Sequence, residues 1–297
     1  MDFTSTIGKA GTRSGADEKR KVCQCLKGFW DLRACSQLLF ILSPFVIALY
    51  FALDGDIRAH LTYVPKFGDK EIYSADGRKI IRIAYFGDSL IGFSDRDYGF
   101  VQKEIDYLGK KWPGFAFDAI STGVSGDKAH TLLARVYRDV ITHHPDCIIL
   151  YFDSDASDIK REVVLSNDYE STYKDNLRKL LVILLTQSPA CVALAGPTTY
   201  GEWPRGSGLN PRDDIYDEYA AINKQVVAEF GGNVTLFSTR DIFFEEAKRR
   251  GCYFVGRGCL TWDGEHHNGP GVSVISNIFT NWLVAKLTER LGPPQGR

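Results

Sequence analysis

Apolar and polar positions repeat with two different periods along this chain. Short runs rich in β-branched and aromatic residues, at 80–86, 116–121, 147–152, 191–195 and 234–237, read as buried strands. Between and after them, at 98–111, 128–142, 169–187, 214–230, 241–249 and 272–291, apolar residues recur every three or four positions, which predicts amphipathic helices. Strand and helix alternate, so the pattern predicts an α/β domain with a five-stranded parallel sheet covered by helices on both faces.

A third pattern precedes this one. Residues 34–53 carry no charge over twenty positions, about the length a helix needs to cross a bilayer. The flanking tail, 1–33, is polar and holds Lys19, Arg20, Lys21, Lys27 and Arg33, whereas only Arg58 and Lys66 follow the run closely. That imbalance predicts a transmembrane signal anchor at 34–53 with a disordered cytosolic tail, a stem at 54–78, and a luminal or extracellular domain at 79–292 ahead of a short tail, 293–297. A cleaved signal peptide and an apolar helix buried in the soluble core are the alternatives, but the tail is long for a signal peptide and no small-x-small cleavage site closes the run.

The remaining composition adds little. A net charge of -1 gives no reason to expect nucleic acid. Seven cysteines show no zinc spacing. Cys147 and Cys191 open neighbouring strands and read as core residues. Cys252 and Cys259 read equally as a disulfide or as two buried thiols. If the domain is luminal, Asn233-Val234-Thr235 is a glycosylation acceptor.

The chemistry sits at strand ends. The first strand breaks into Gly87-Asp88-Ser89-Leu90, which leaves a serine hydroxyl at the carboxyl edge of the sheet, where open α/β folds place ligand sites. The second strand ends in Gly123-Val124-Ser125-Gly126-Asp127, and a glycine there lets its backbone N–H face an anion. Near the carboxyl end, Asp263-Gly264-Glu265-His266 sets a carboxylate three positions before an imidazole, close enough to hold one ring nitrogen.

Together these motifs resemble the SGNH hydrolases, also called GDSL esterases and lipases, over about residues 80–291. The resemblance implies a three-layer, flavodoxin-like sandwich and a carboxylic ester hydrolase without cofactor or metal. It implies Ser89 as nucleophile, His266 as general base and Asp263 as the orienting carboxylate, with an oxyanion hole from the N–H groups of Ser89 and Gly123. The family's third block, Gly-x-Asn-Asp, reads Phe152-Asp153-Ser154-Asp155 here, which places Ser154 where the third oxyanion donor stands and Asp153 where an ionised carboxylate would repel an oxyanion. Ser121 likewise replaces a frequent Asn in the second block. Asp88 and Trp262 are expected to contact substrate, a small-molecule, lipid or glycan ester, and Trp203 reads as a pocket or packing aromatic. Two rival readings remain: a phosphatase of haloacid-dehalogenase type using Asp153, Asp155 and Mg²⁺, and an SGNH-fold module that binds a glycan or acyl ligand without turnover.

Overall fold

The computed structural model describes residues 72–94, 99–157, 167–210, 212–252 and 256–295, with side chains of 167–171 excepted. The expected anchor at 34–53, the tail at 1–33 and the stem up to residue 71 lie outside the described residues. Among the described residues, no helix is long and apolar enough to cross a membrane.

Five strands, β1 (Lys79–Gly87), β2 (Phe115–Gly123), β3 (Cys147–Tyr151), β4 (Cys191–Ala195) and β5 (Val234–Phe237), form one sheet in the order β2-β1-β3-β4-β5. Every pairing is parallel. The helices are α1 (Ser89–Gly92), α2 (Val101–Lys111), α3 (Ala129–Asp139), α4 (Ser154–Ser157), α5 (Asn167–Thr186), α6 (Asp213–Ala228), α7 (Thr239–Arg249) and α8 (Gly269–Leu291). The period-two alternation of β1 divides the core. Ala84 and Phe86 pack with α3, α5 and α6 on one face, whereas Ile81, Ile83 and Tyr85 pack with α2, α7 and α8 on the other. This is the three-layer sandwich the resemblance implied. The strand order reverses direction between β1 and β3, so their carboxyl ends open a crevice where a ligand can reach backbone and side chains.

Two polar residues lie on apolar helix stripes, and one of them braces this crevice. Arg135, on α3 beside Leu132 and Val136, donates to the carbonyls of Gly87 and Thr122 at 2.8 Å each, which ties the ends of β1 and β2 together. Its charge is met by Asp127 and Asp139 at 2.5 and 2.8 Å. On the other face Tyr85 donates to the buried Glu104 of α2 at 2.8 Å.

Cys147 and Cys191, expected as core thiols, are joined by a disulfide. They are register partners on adjacent strands with Cα atoms 4.5 Å apart, within the span a disulfide bridges. Cys252 and Cys259 are also bonded, which resolves the two readings of that pair.

Candidate active site

β1 ends at Gly87 because no side chain fits there: a Cβ would strike the backbone of Tyr151. Asp88 then caps α1 by accepting from Leu90 N at 3.0 Å. With the cap supplied by Asp88, the Ser89 hydroxyl is left for another partner, and His266 Nε2 lies 2.8 Å from Ser89 Oγ. His266 Nδ1 lies 2.6 Å from Asp263 Oδ2. Asp263 Oδ1 accepts from the backbone N–H groups of Glu265 and His266 at 2.9 and 2.7 Å. Burial would lift the Asp263 carboxyl, but the bonds from His266 and from these N–H groups outweigh it and hold the pKa below the usual carboxylate range. Asp263 therefore favours its ionised form, and its position fixes His266 with Nε2 toward the serine.

Two aromatic rings flank this imidazole. Trp262 stacks on it with centroids 5.4 Å apart, and Phe93 meets it edge-on at 4.9 Å. Trp262 is 58% exposed, so the ring that stacks on His266 also faces solvent. Trp203 lies against the backbone of Gly256 and takes the packing role. The neighbouring His267 turns inward, with Tyr151 2.5 Å from its Nε2 and its ring close to Phe243. Burial, then the adjoining His266, lowers its pKa to about 3, so it stays neutral. Only one of the adjacent histidines reaches Ser89.

Gly123 packs directly on the turn that carries the serine. A Cβ there would overlap Gly92 and come within 2.7 Å of the Asp88 carbonyl. The third block is arranged otherwise than expected. Asp88 is fully buried, and its Oδ2 accepts from the Asp153 N–H at 2.8 Å, the Ser154 N–H at 2.9 Å and the Ser154 hydroxyl at 2.7 Å. A hydroxyl has one proton to give, so that of Ser154 is spent on Asp88 rather than held out to an oxyanion. Asp88 in turn is a strut between the ends of β1 and β3, and with none of its surface exposed it does not face substrate.

Asp153 is also turned away. Its Oδ2 accepts from the Thr198 hydroxyl at 3.0 Å. Burial, followed by the charges of Asp88 and Glu265, holds its pKa well above the carboxylate range. The neutral form this favours would not repel an oxyanion. Asp155 accepts from Ala129 N at 2.6 Å, at the first residue of α3. Both aspartates of the phosphatase reading are thus engaged inside the fold.

No protein-family model and no curated protein matches the chain. Solved structures do. An acetyl xylan esterase, AlAXEase, superposes with a TM-score of 0.59 at 23% identity, covering 68% of this chain and 98% of that one. Axe2, an acetylxylan esterase from Geobacillus stearothermophilus, gives 0.55 at 20% identity over 71% and 95%. LAE5, an alpha/beta hydrolase from the metagenome of Lake Arreo in Spain, gives 0.55 at 20% over 73% and 97%. The chain shares its fold with these esterases. Within this fold, the sites found at strand ends in the sequence lie together, and what spacing alone did not show is the wiring of Asp88, Ser154 and Asp153 behind them.

Proposed function

We propose that the protein is a serine carboxylic ester hydrolase that removes a short acyl group, such as acetyl, from a glycan. The observation that carries this reading is the continuous line from Asp263 through His266 to Ser89, at 2.6 and 2.8 Å. Catalytic mutants of the Axe2 esterase change a serine, a histidine, and an aspartate three positions before that histidine, the same spacing as Asp263 and His266. A further Axe2 mutant changes the tryptophan just before that aspartate, the place Trp262 holds here.

In this mechanism His266 Nε2 takes the Ser89 proton as Oγ bonds to the ester carbonyl carbon. Charge on the carbonyl oxygen is met by the backbone N–H groups of Ser89 and Gly123. Collapse breaks the ester C–O bond, and His266 returns its proton to the departing alcohol. Water, deprotonated by His266, then releases the acid from the acyl-enzyme. With the Ser154 hydroxyl given to Asp88, two donors rather than three serve the oxyanion, and turnover should be slower than with a third donor by about 10² to 10³.

The pocket beside the serine supports a short acyl group. It is bounded by Leu90, Phe93, Phe100 and Val272, and its volume is about 30 Å³, room for roughly two water-sized groups. Trp262 supports a sugar as the alcohol, because its exposed ring can stack on a pyranose face. Two disulfides favour an oxidising compartment, in keeping with a type II anchor at 34–53 and an exposed Asn233.

Labelling of the purified full chain with a fluorophosphonate tests the reading, since the probe needs an activated serine and no knowledge of substrate. Wild type is expected to label, and Ser89→Ala and His266→Ala to stay blank. A folded wild type that stays blank refutes turnover and leaves ligand binding.

A further inference from the structure

Glu202 lies 61 positions before Asp263 in sequence and carries no motif. It follows β4, is 2% exposed, and its side chain reaches under the segment that leads into the Asp263 turn. Oε2 accepts from Cys259 N at 2.7 Å. Oε1 accepts from Leu260 N at 2.6 Å, Thr261 N at 2.5 Å and the Thr261 hydroxyl at 2.8 Å. Three successive backbone N–H groups converging on one point leave a positive hollow, and a carboxylate is the side chain that satisfies all of them at once.

The contacts continue toward the site. Thr261 Oγ1 accepts from Gly264 N at 3.2 Å, inside the turn that holds Asp263 and His266. From the other side, Gly201 N donates to the Gly264 carbonyl at 2.6 Å. Gly264 has a φ of +105°, where a Cβ would be strained. The turn is therefore held before Asp263 and at Gly264 by two consecutive residues, Gly201 and Glu202.

We propose that Glu202 is a positioning residue of this site: its carboxylate fixes residues 259–261 and, through Thr261, sets the turn from which Asp263 and His266 reach Ser89. The proposal rests on the serine-hydrolase reading for its kinetic consequence, but not for its structural one. Glu202 touches neither Ser89 nor His266, so its effect passes entirely through the loop.

Two substitutions in the full chain test it. Glu202→Gln keeps the size but turns one amide N–H toward a backbone N–H. Thr261→Val keeps the shape and removes the hydroxyl between Glu202 and Gly264. Both are compared with wild type by circular dichroism, by hydrolysis of p-nitrophenyl acetate, and by the downfield proton resonance of the His266 Nδ1–H to Asp263 bond. Loss of turn geometry is expected to lower kcat by about 10- to 100-fold, with KM within about twofold. The downfield resonance should broaden or vanish in both variants. A folded variant with wild-type kcat and resonance overturns the proposal. Should Glu202→Gln fail to fold, Thr261→Val decides alone. If wild type shows no serine reactivity, the hydrolase reading falls, and the resonance comparison still judges the clamp.

Discussion

The Ser154 hydroxyl donates to Asp88 Oδ2 at 2.7 Å, and this bond separates two roles that its position in the third block would otherwise confuse. A donor to a buried carboxylate supports the fold, whereas a donor to an oxyanion supports the transition state. Ser154→Ala is therefore expected to cost about 1 to 3 kcal/mol of stability, the range for leaving a buried polar group short of a partner. Ester turnover should fall by less than about tenfold, against the 10² to 10³ that follows loss of an oxyanion donor. Urea unfolding and kcat, measured on the same preparation, check both figures.

Glu104 makes a prediction in pH. Burial pushes its pKa from 4.5 to about 8, even though the hydroxyls of Tyr85 and Ser276 act the other way. The folded value lies above the unfolded one, so the neutral acid's contribution is fully present below pH 4.5 and is lost as pH rises through about 8. At about 1.4 kcal/mol per unit, the loss is on the order of 5 kcal/mol. Glu104→Gln retains an acceptor for Tyr85 and cannot ionise. Its stability relative to wild type should rise between pH 5 and pH 9, and parallel curves for the two proteins would refute the assignment.

Glu104 also shows where sequence reading stopped. The strands and helices emerged at nearly their observed bounds because each buries a face with its own period, and Ser89, Asp263 and His266 emerged because their spacing is local or sits at a strand end. Glu104 and Arg135 fall on the apolar stripes of α2 and α3, which is the one signal that could have marked them as buried. Glu202 has no such signal, since its partners lie in an irregular loop. Their places in the motifs point Asp88 to substrate and Ser154 to the oxyanion. The structure pairs them with each other, a contact across 66 positions that no local pattern encodes.

The bond between Cys147 and Cys191 lies at the amino ends of β3 and β4, on the opposite edge of the sheet from Ser89. It closes a loop of 44 residues, for which chain entropy gives about 4 kcal/mol of stabilisation. The double variant Cys147→Ala/Cys191→Ala should therefore melt roughly 8 to 16 °C lower. Since the bond is remote from the crevice, kcat below the melting range should be unchanged. A large fall in kcat would mean that the sheet transmits strain to its carboxyl edge.

Trp262 contacts His266 and solvent at once, so its substitution can act through either. As a support for the imidazole, it would limit kcat for every ester. As a platform for the sugar, it would matter only to esters that carry one, and its loss would appear in KM. The exposure of 58% favours the second, because a ring kept mainly to orient His266 would gain from being covered. Trp262→Ala is expected to raise KM for an acetylated oligosaccharide by about tenfold, the scale of one lost stacking contact. For p-nitrophenyl acetate, kcat should stay within a few-fold of wild type. Equal losses of kcat on both substrates would assign the tryptophan to His266 and remove the main support for a sugar as the alcohol.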